Sequence, residues 1–191
     1  MEAIFTLPYS EYEAVLRTQK FFKKNEGFAV FVPTSRQQKG IDFVILNTSN
    51  SKVLRVQVKS SRSYVRHNQP AKSKSNHFIY NFWFNNFLDR YEPNIADVYF
   101  LFGLYPIYDT NGNIKSKKKF WESLILAFTD TEMVELLRQV KTKNENKQDR
   151  FFGFGFDDTE SIVGNRGFPE KPDLTKHLLE NKIRILLDKL K

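Results

Sequence analysis

Two short apolar runs, residues 41–47 and 52–59, flank Thr48-Ser49-Asn50-Ser51, and this pattern constrains the fold more than any other part of the chain. Runs of this length, rich in Val, Ile, Leu and Phe and split by a cluster of Ser, Thr and Asn, predict a β-hairpin. Side chains alternate faces along a strand. Leu54, Val56 and Val58 therefore share one face of the second strand, and Arg55, Gln57 and Lys59 share the other. Pairing Asn47 with Lys52 sets a register in which Asp42 lies across from Gln57. Facing residues have Cβ atoms roughly 5 Å apart. Slipping the register by one residue would part these groups and turn the apolar set to the wrong face.

The register gathers an acid, an amide and an amine where the rest of the hairpin is apolar. Burying an ionisable group is costly without a partner, a metal or a task. The set Asp42, Gln57 and Lys59 matches the needs of metal-assisted phosphodiester hydrolysis. Mg²⁺ takes oxygen ligands and keeps several waters. Asp42 offers a carboxylate, Gln57 an amide oxygen and Val58 a backbone carbonyl. A bound Mg²⁺ or Mn²⁺ acidifies its water and polarises the phosphoryl oxygen. Lys59 is placed to orient that water and to stabilise the charge that develops on the phosphoryl group.

With these residues the chain resembles the PD-(D/E)xK nuclease superfamily, which includes restriction endonucleases and Holliday junction resolvases. That family places an acid near a strand start, then a variable gap, then (Asp/Glu/Gln)-x-Lys on the next strand. The corresponding residues are Asp42 and Gln57-Val58-Lys59. The resemblance covers about residues 10–105, including Gly40-Ile41-Asp42, Lys59-Ser60-Ser61 and the apolar Ala96-Asp97-Val98-Tyr99-Phe100. It implies a restriction endonuclease-like α/β (α+β) core, a mixed sheet flanked by helices. It also implies a helix Glu facing the site, for which Glu13 is the choice and Glu11 the alternative. Ile41 stands where the family often has Pro, and Gln57 stands where an acid is commoner. The second departure removes a negative charge and weakens the expected hold on a divalent cation.

The charge distribution points to the same class of partner. The net charge is +8. Between Asp42 and Asp89 there is no acidic residue, while Lys52, Arg55, Lys59, Arg62, Arg66, Lys72 and Lys74 all fall there. Such a concentration favours a polyanion, most simply nucleic acid. Arg55, Arg62, Arg66, Lys72 and Lys74 are the expected backbone contacts, positioning phosphates without reading bases. With no Cys there is no disulfide framework and no Cys-based zinc site. The start of the chain lacks a signal-peptide pattern, and no stretch has the length of a membrane span, so a cytoplasmic protein is expected.

The remaining pattern predicts a helix from Ser10, read as N-cap of a Ser10–Glu13 capping box, to about Asn25. Strands follow at 28–33, 78–84, 96–105 and 120–128, with an Asn111-Gly112 turn before the last. Residues 61–76 read as a basic loop or short irregular helix. Thr129 or Asp130 caps a helix through Val140. Residues 151–172 read as irregular, their Phe packing over the sheet or, less simply, stacking on bases. An amphipathic helix spans 177–190, packed on the sheet or on another subunit. Residues 109–120 fail as a calcium loop, since Ile114 replaces the required Gly and Phe120 the required Glu. His67, His77 and His177 lack metal-ligand spacing. The Lys115–Lys119 run is read as a solvated turn.

The expectation is thus a single domain over residues 1–191, with a core at about 10–140 and a Gly/Phe-rich segment and C-terminal helix at 150–191. It would cut DNA with Mg²⁺ or Mn²⁺, as a possible homodimer. Two other readings remain open: a catalytically inactive nucleic-acid-binding module on the same fold, and a protein-interaction domain.

Overall fold

The computed structural model describes residues 9–33, 40–65, 78–107, 121–141 and 147–191. Helix α1 (Tyr9–Phe21) is followed by a 3-10 turn, Lys24–Glu26, and Gly27 ends that turn at a φ of 82°. Strands β1 (Phe28–Phe31), β2 (Phe43–Asn47) and β3 (Val53–Val65) form an antiparallel meander. Phe43 faces Val56 and Val44 faces Arg55, the register expected from the sequence. Ser10 lies inside α1, so it is not the N-cap, and the helix stops short of Asn25.

The first large departure is β3. It runs on through Val65, where an irregular segment was expected from residue 61. Its middle pairs in parallel with β5 (Val98–Pro106), and its far end pairs antiparallel with β4 (Tyr80–Asn85). β5 pairs antiparallel with β6 (Trp121–Thr129). The result is a five-stranded mixed sheet, β1-β2-β3-β5-β6, that shares β3 with a second sheet, β3-β4-β7-β8. The coarse expectation of a mixed α/β fold holds. The expected Asn111-Gly112 turn lies outside the described residues.

The second departure is β7 (Phe151–Phe156), a regular strand where the sequence was read as irregular. Phe152, Phe154 and Phe156 are buried on one face and stack on Phe82 and Phe84 of β4. Their burial removes them from base stacking. Gly153 and Gly155 fall on the other face, where a Cβ has no room. At Gly153 it would sit 2.2 Å from the Phe82 carbonyl oxygen and 2.6 Å from Trp83. The short strand β8 (Val163–Gly164) closes this sheet.

Two apolar layers cover the five-stranded sheet. On one face, Val56, Val58, Val98, Phe100 and Phe102 meet Ala14 and Val15 of α1 and Leu179, Leu186 and Leu190 of α3 (Leu179–Leu190). On the other, Tyr99, Leu101, Leu126 and Phe128 meet the second sheet and Met133, Leu136 and Leu137 of α2 (Asp130–Arg138). Thr129 caps α2 in a reciprocal box with Glu132. Arg17 of α1 reaches Glu180 of α3, and the hairpin turn binds the end of α3 through Asn47 and Asn50, whose amides donate to the Leu190 carbonyl at 2.9 and 2.8 Å. These amides satisfy a carbonyl that a helix end leaves without an intrahelical donor. Among the described residues no helix is long and apolar enough to cross a membrane.

A buried polar knot joins α2 to α3. Lys182 is buried and pairs with the same Glu132 that closes the α2 cap. Burial pushes the Glu132 carboxyl up, but the bonds from Lys182 and from the Thr129 N–H together hold it below its ordinary value. Beside them His177 stacks on Phe128 at 4.1 Å, and among the described residues its buried Nδ1 has no hydrogen-bond partner. Burial, with the Lys182 charge, lowers its pKa to about 4.

Two outcomes follow from this packing. Gly153→Ala forces atoms into occupied space, and overpacking of this kind costs about 1–3 kcal/mol; a urea melt should show the loss. His177 stays neutral in the fold, while the unfolded chain takes up a proton near the ordinary 6.5. Stability should therefore fall as pH drops from about 6.5 towards about 4, by of order 2–3 kcal/mol. Denaturation of His177→Phe, which keeps the stack on Phe128, should lose that part of the pH dependence.

Candidate metal and nucleic-acid site

The site is built where β2 starts against β3. The Asp42 N–H donates to the Val56 carbonyl at 2.8 Å, one residue out of step with the Phe43–Val56 pair, so the regular ladder ends at Phe43. The Asp42 carboxylate then takes the Val58 N–H at 2.6 Å. A side-chain oxygen thus accepts the next bond on that edge of β3. The carboxylate is fixed beside the backbone between Gln57 and Lys59. In an antiparallel ladder alternate residues send both N–H and C=O to the same neighbour. The Val58 carbonyl therefore points to the Asp42 side, as the Val56 carbonyl does.

Gln57 and Lys59 lie on the sheet face opposite Val56 and Val58, facing Tyr99 and Leu101 in the parallel ladder. Asp42 precedes the paired residues of β2, and its carboxylate lies at the β2 edge of β3, against the Val58 N–H. Gln57 lies close to Gly40, where a Cβ would be 3.4 Å from its Nε2. Gly40 has a φ of 79°, and the same Cβ would be 2.0 Å from the Ile95 Cγ2. Only glycine can take that backbone angle under Ile95 without strain. Among the described residues the Lys59 amine has no recorded hydrogen bond or ion pair.

Glu13 is not brought to this cluster. Helix α1 packs on the Val56 and Val58 face, and Glu13 accepts a 3.4 Å hydrogen bond from Ser123 on β6. Two strand spacings and the thickness of the sheet separate it from Gln57. Glu11 sits in the first turn of that helix, two residues before Glu13.

Arg55 is committed elsewhere. Its guanidinium holds Asp97 in a two-point ion pair at 3.0 and 2.9 Å, and its N–H donates to the same carboxylate at 2.8 Å. The Asp97 bonds raise the Arg55 pKa further, and they hold the Asp97 carboxyl below its usual range against the opposing effect of burial. The acid that neutralises Arg55 lies outside the acid-free stretch, so the sequence window overstates the free charge. Arg62 lies within β3, next to Ser61. Arg66, Lys72 and Lys74 lie outside the described residues, as do His67, His77 and the Lys115–Lys119 run.

The donor set fits a hard divalent cation in chemical type: one carboxylate, one amide oxygen and one backbone carbonyl about the start of β2. It is poor in charge. Among the described residues no three His, Asp or Glu side chains gather as a metal centre. Two groups escaped the sequence reading. Asp97 was seen only as part of an apolar strand, although an acid at a strand start beside an Arg-bearing strand signals an ion pair. Ser61, which binds the Trp83 backbone, had no signal at all.

Comparison with protein-family models, with curated proteins and with solved structures finds no match to this chain.

The anchoring of Asp42 separates its charge from its structural role. Asp42→Ala leaves the Val58 N–H without its acceptor, which should cost about 1–3 kcal/mol. Asp42→Asn keeps an acceptor oxygen and should melt within about 1 kcal/mol of the parent. Thermal denaturation of the two variants side by side checks this.

Proposed function

We propose that the protein is a metal-dependent nuclease of the PD-(D/E)xK type that hydrolyses phosphodiester bonds in DNA. The observation that carries this reading is the Asp42 carboxylate held against the N–H of Val58, the residue of β3 between Gln57 and Lys59. The mixed sheet with helices packed on it is consistent with the restriction endonuclease-like core that the motif resemblance implies.

Asp42, Gln57 and the Val58 carbonyl would hold Mg²⁺ or Mn²⁺, which supplies an acidified water and a polarised phosphoryl oxygen when bound. Asp42 presents its charge from a fixed position, because one of its oxygens is tied to β3. Lys59 supplies a cation one residue beyond Val58 for the water and for the charge that builds on the phosphoryl oxygens. The Arg55–Asp97 pair keeps the neighbouring guanidinium from competing with the metal for Asp42. Glu13 has no part in this arrangement. With one carboxylate in place of two, the metal is held weakly, and activity should need a high concentration of divalent ion.

A cytoplasmic enzyme of this kind would meet DNA through the basic stretch between Asp42 and Asp89. The inactive nucleic-acid-binding module is the second reading, favoured by Gln57 and by the thin supply of carboxylates.

Plasmid incubated with Mg²⁺ or Mn²⁺ tests the proposal. Nicking or cutting should be abolished by EDTA. Asp42→Asn and Lys59→Ala should each lower the rate at least about a hundredfold while the protein stays folded. Gln57→Glu should lower the metal concentration needed. DNA binding that weakens with salt, with no cleavage at any metal concentration, would leave only the inactive module.

A further inference from the structure

Beyond the last residue of β3 that faces β5, β3 and β4 together carry an aromatic pair on the face away from the core. Tyr64 stacks on Trp83 of β4 with ring centroids 4.1 Å apart and planes at 25°. Both lie on the outer face of the second sheet, since their neighbours Phe82 and Phe84 point into the core. Tyr64 is 44% exposed, so part of its ring is open to solvent. Among the described residues Trp83 is its one ring contact.

Trp83 is held unusually firmly. The Ser61 hydroxyl accepts from its N–H at 2.9 Å and donates to its carbonyl at 2.8 Å. Its ring lies so close over Gly153 that a Cβ there would be 2.6 Å from Trp83 Cδ1. The glycine thus lets the indole lie against the sheet, and the indole in turn backs Tyr64. A rigid aromatic surface loses little freedom when a flat ligand stacks on it.

We propose that Tyr64, backed by Trp83, is a stacking platform for an unpaired nucleobase. Every base offers a π-face, so such a surface binds single strands with little sequence preference. The occupant follows from charge: both aromatics fall in the acid-free stretch between Asp42 and Asp89, where six basic residues lie besides the Arg55 that Asp97 neutralises. A polyanion with exposed aromatic rings meets both features, and a duplex, whose bases are stacked on each other, meets only the first. The inference rests on the reading that the protein binds nucleic acid, but it does not require the metal site to work.

The chain has two tryptophans, so Trp121→Phe leaves Trp83 as the only indole reporter. In that background, with EDTA present, a short oligothymidylate of about a dozen nucleotides should quench the fluorescence. It should bind at least about tenfold more tightly than a duplex of the same length. Tyr64→Ala and the bulk-preserving Tyr64→Leu should each weaken single-strand binding about tenfold, and Tyr64→Phe should keep it. No quenching, equal affinity for single strand and duplex, or wild-type binding by folded Tyr64→Leu would overturn the platform. The plasmid assay is independent of these outcomes: stacking without cleavage sinks the nuclease alone, and cleavage without stacking sinks the platform alone.

Discussion

A strand can belong to two sheets only if its ladder changes partners partway along, and the change must leave no buried backbone group unpaired. In β3 the change comes just past Ser61, between Arg62 and Ser63. Up to Arg62 the strand pairs with β5, and from Ser63 it pairs with β4. The Ser61 hydroxyl, acting as both donor and acceptor, satisfies the Trp83 backbone at the fork. A hydroxyl is one of the few side-chain groups that can do both jobs at once. The apolar layer on the Tyr99 and Leu101 side depends on this fork, because β4 brings the Phe stack that covers that face of the five-stranded sheet.

The same strand divides its two faces by chemistry. Val56 and Val58 hold α1 and α3 in an apolar layer, and Gln57 and Lys59 point the other way. The pleat therefore both buries the hairpin and gathers its polar groups. Two charged clamps, Arg17 to Glu180 and Lys182 to Glu132, fix α3 against α1 and α2. Lys182 is the more consequential. Breaking a buried pair by removing one partner commonly costs about 3–5 kcal/mol, whereas an exposed pair contributes little.

What could be read from the sequence was whatever a local period expressed. The β2–β3 register followed from alternation and a short polar turn, and α2 followed from Thr129 and the apolar spacing after it. The end of β3 was missed because Ser60 to Ser63 look polar and loop-like, and only pairing with β5 and β4 makes them a strand. In β7 the alternation of Phe and Gly was itself a period of two. Glycine's poor strand propensity masked it, and only the crowding by Phe82 and Trp83 explains why glycine is required. Asp42, Gln57 and Lys59 could be grouped because one hairpin carries them. Glu13 could not be placed by the same logic, since the face a helix covers depends on the whole sheet.

The fork at Ser61 also bears on how the molecule assembles. The partner of β3 in β2 is a single turn away, so that pairing closes with little loss of chain entropy. Its partner in β5 lies beyond the entire β3–β4 connection, and non-local strand pairing of this kind is slow. The register of β2 on β3 is therefore decided by the quick, local step. The polar face then waits, open on its β5 side, until the slow parallel pairing encloses it.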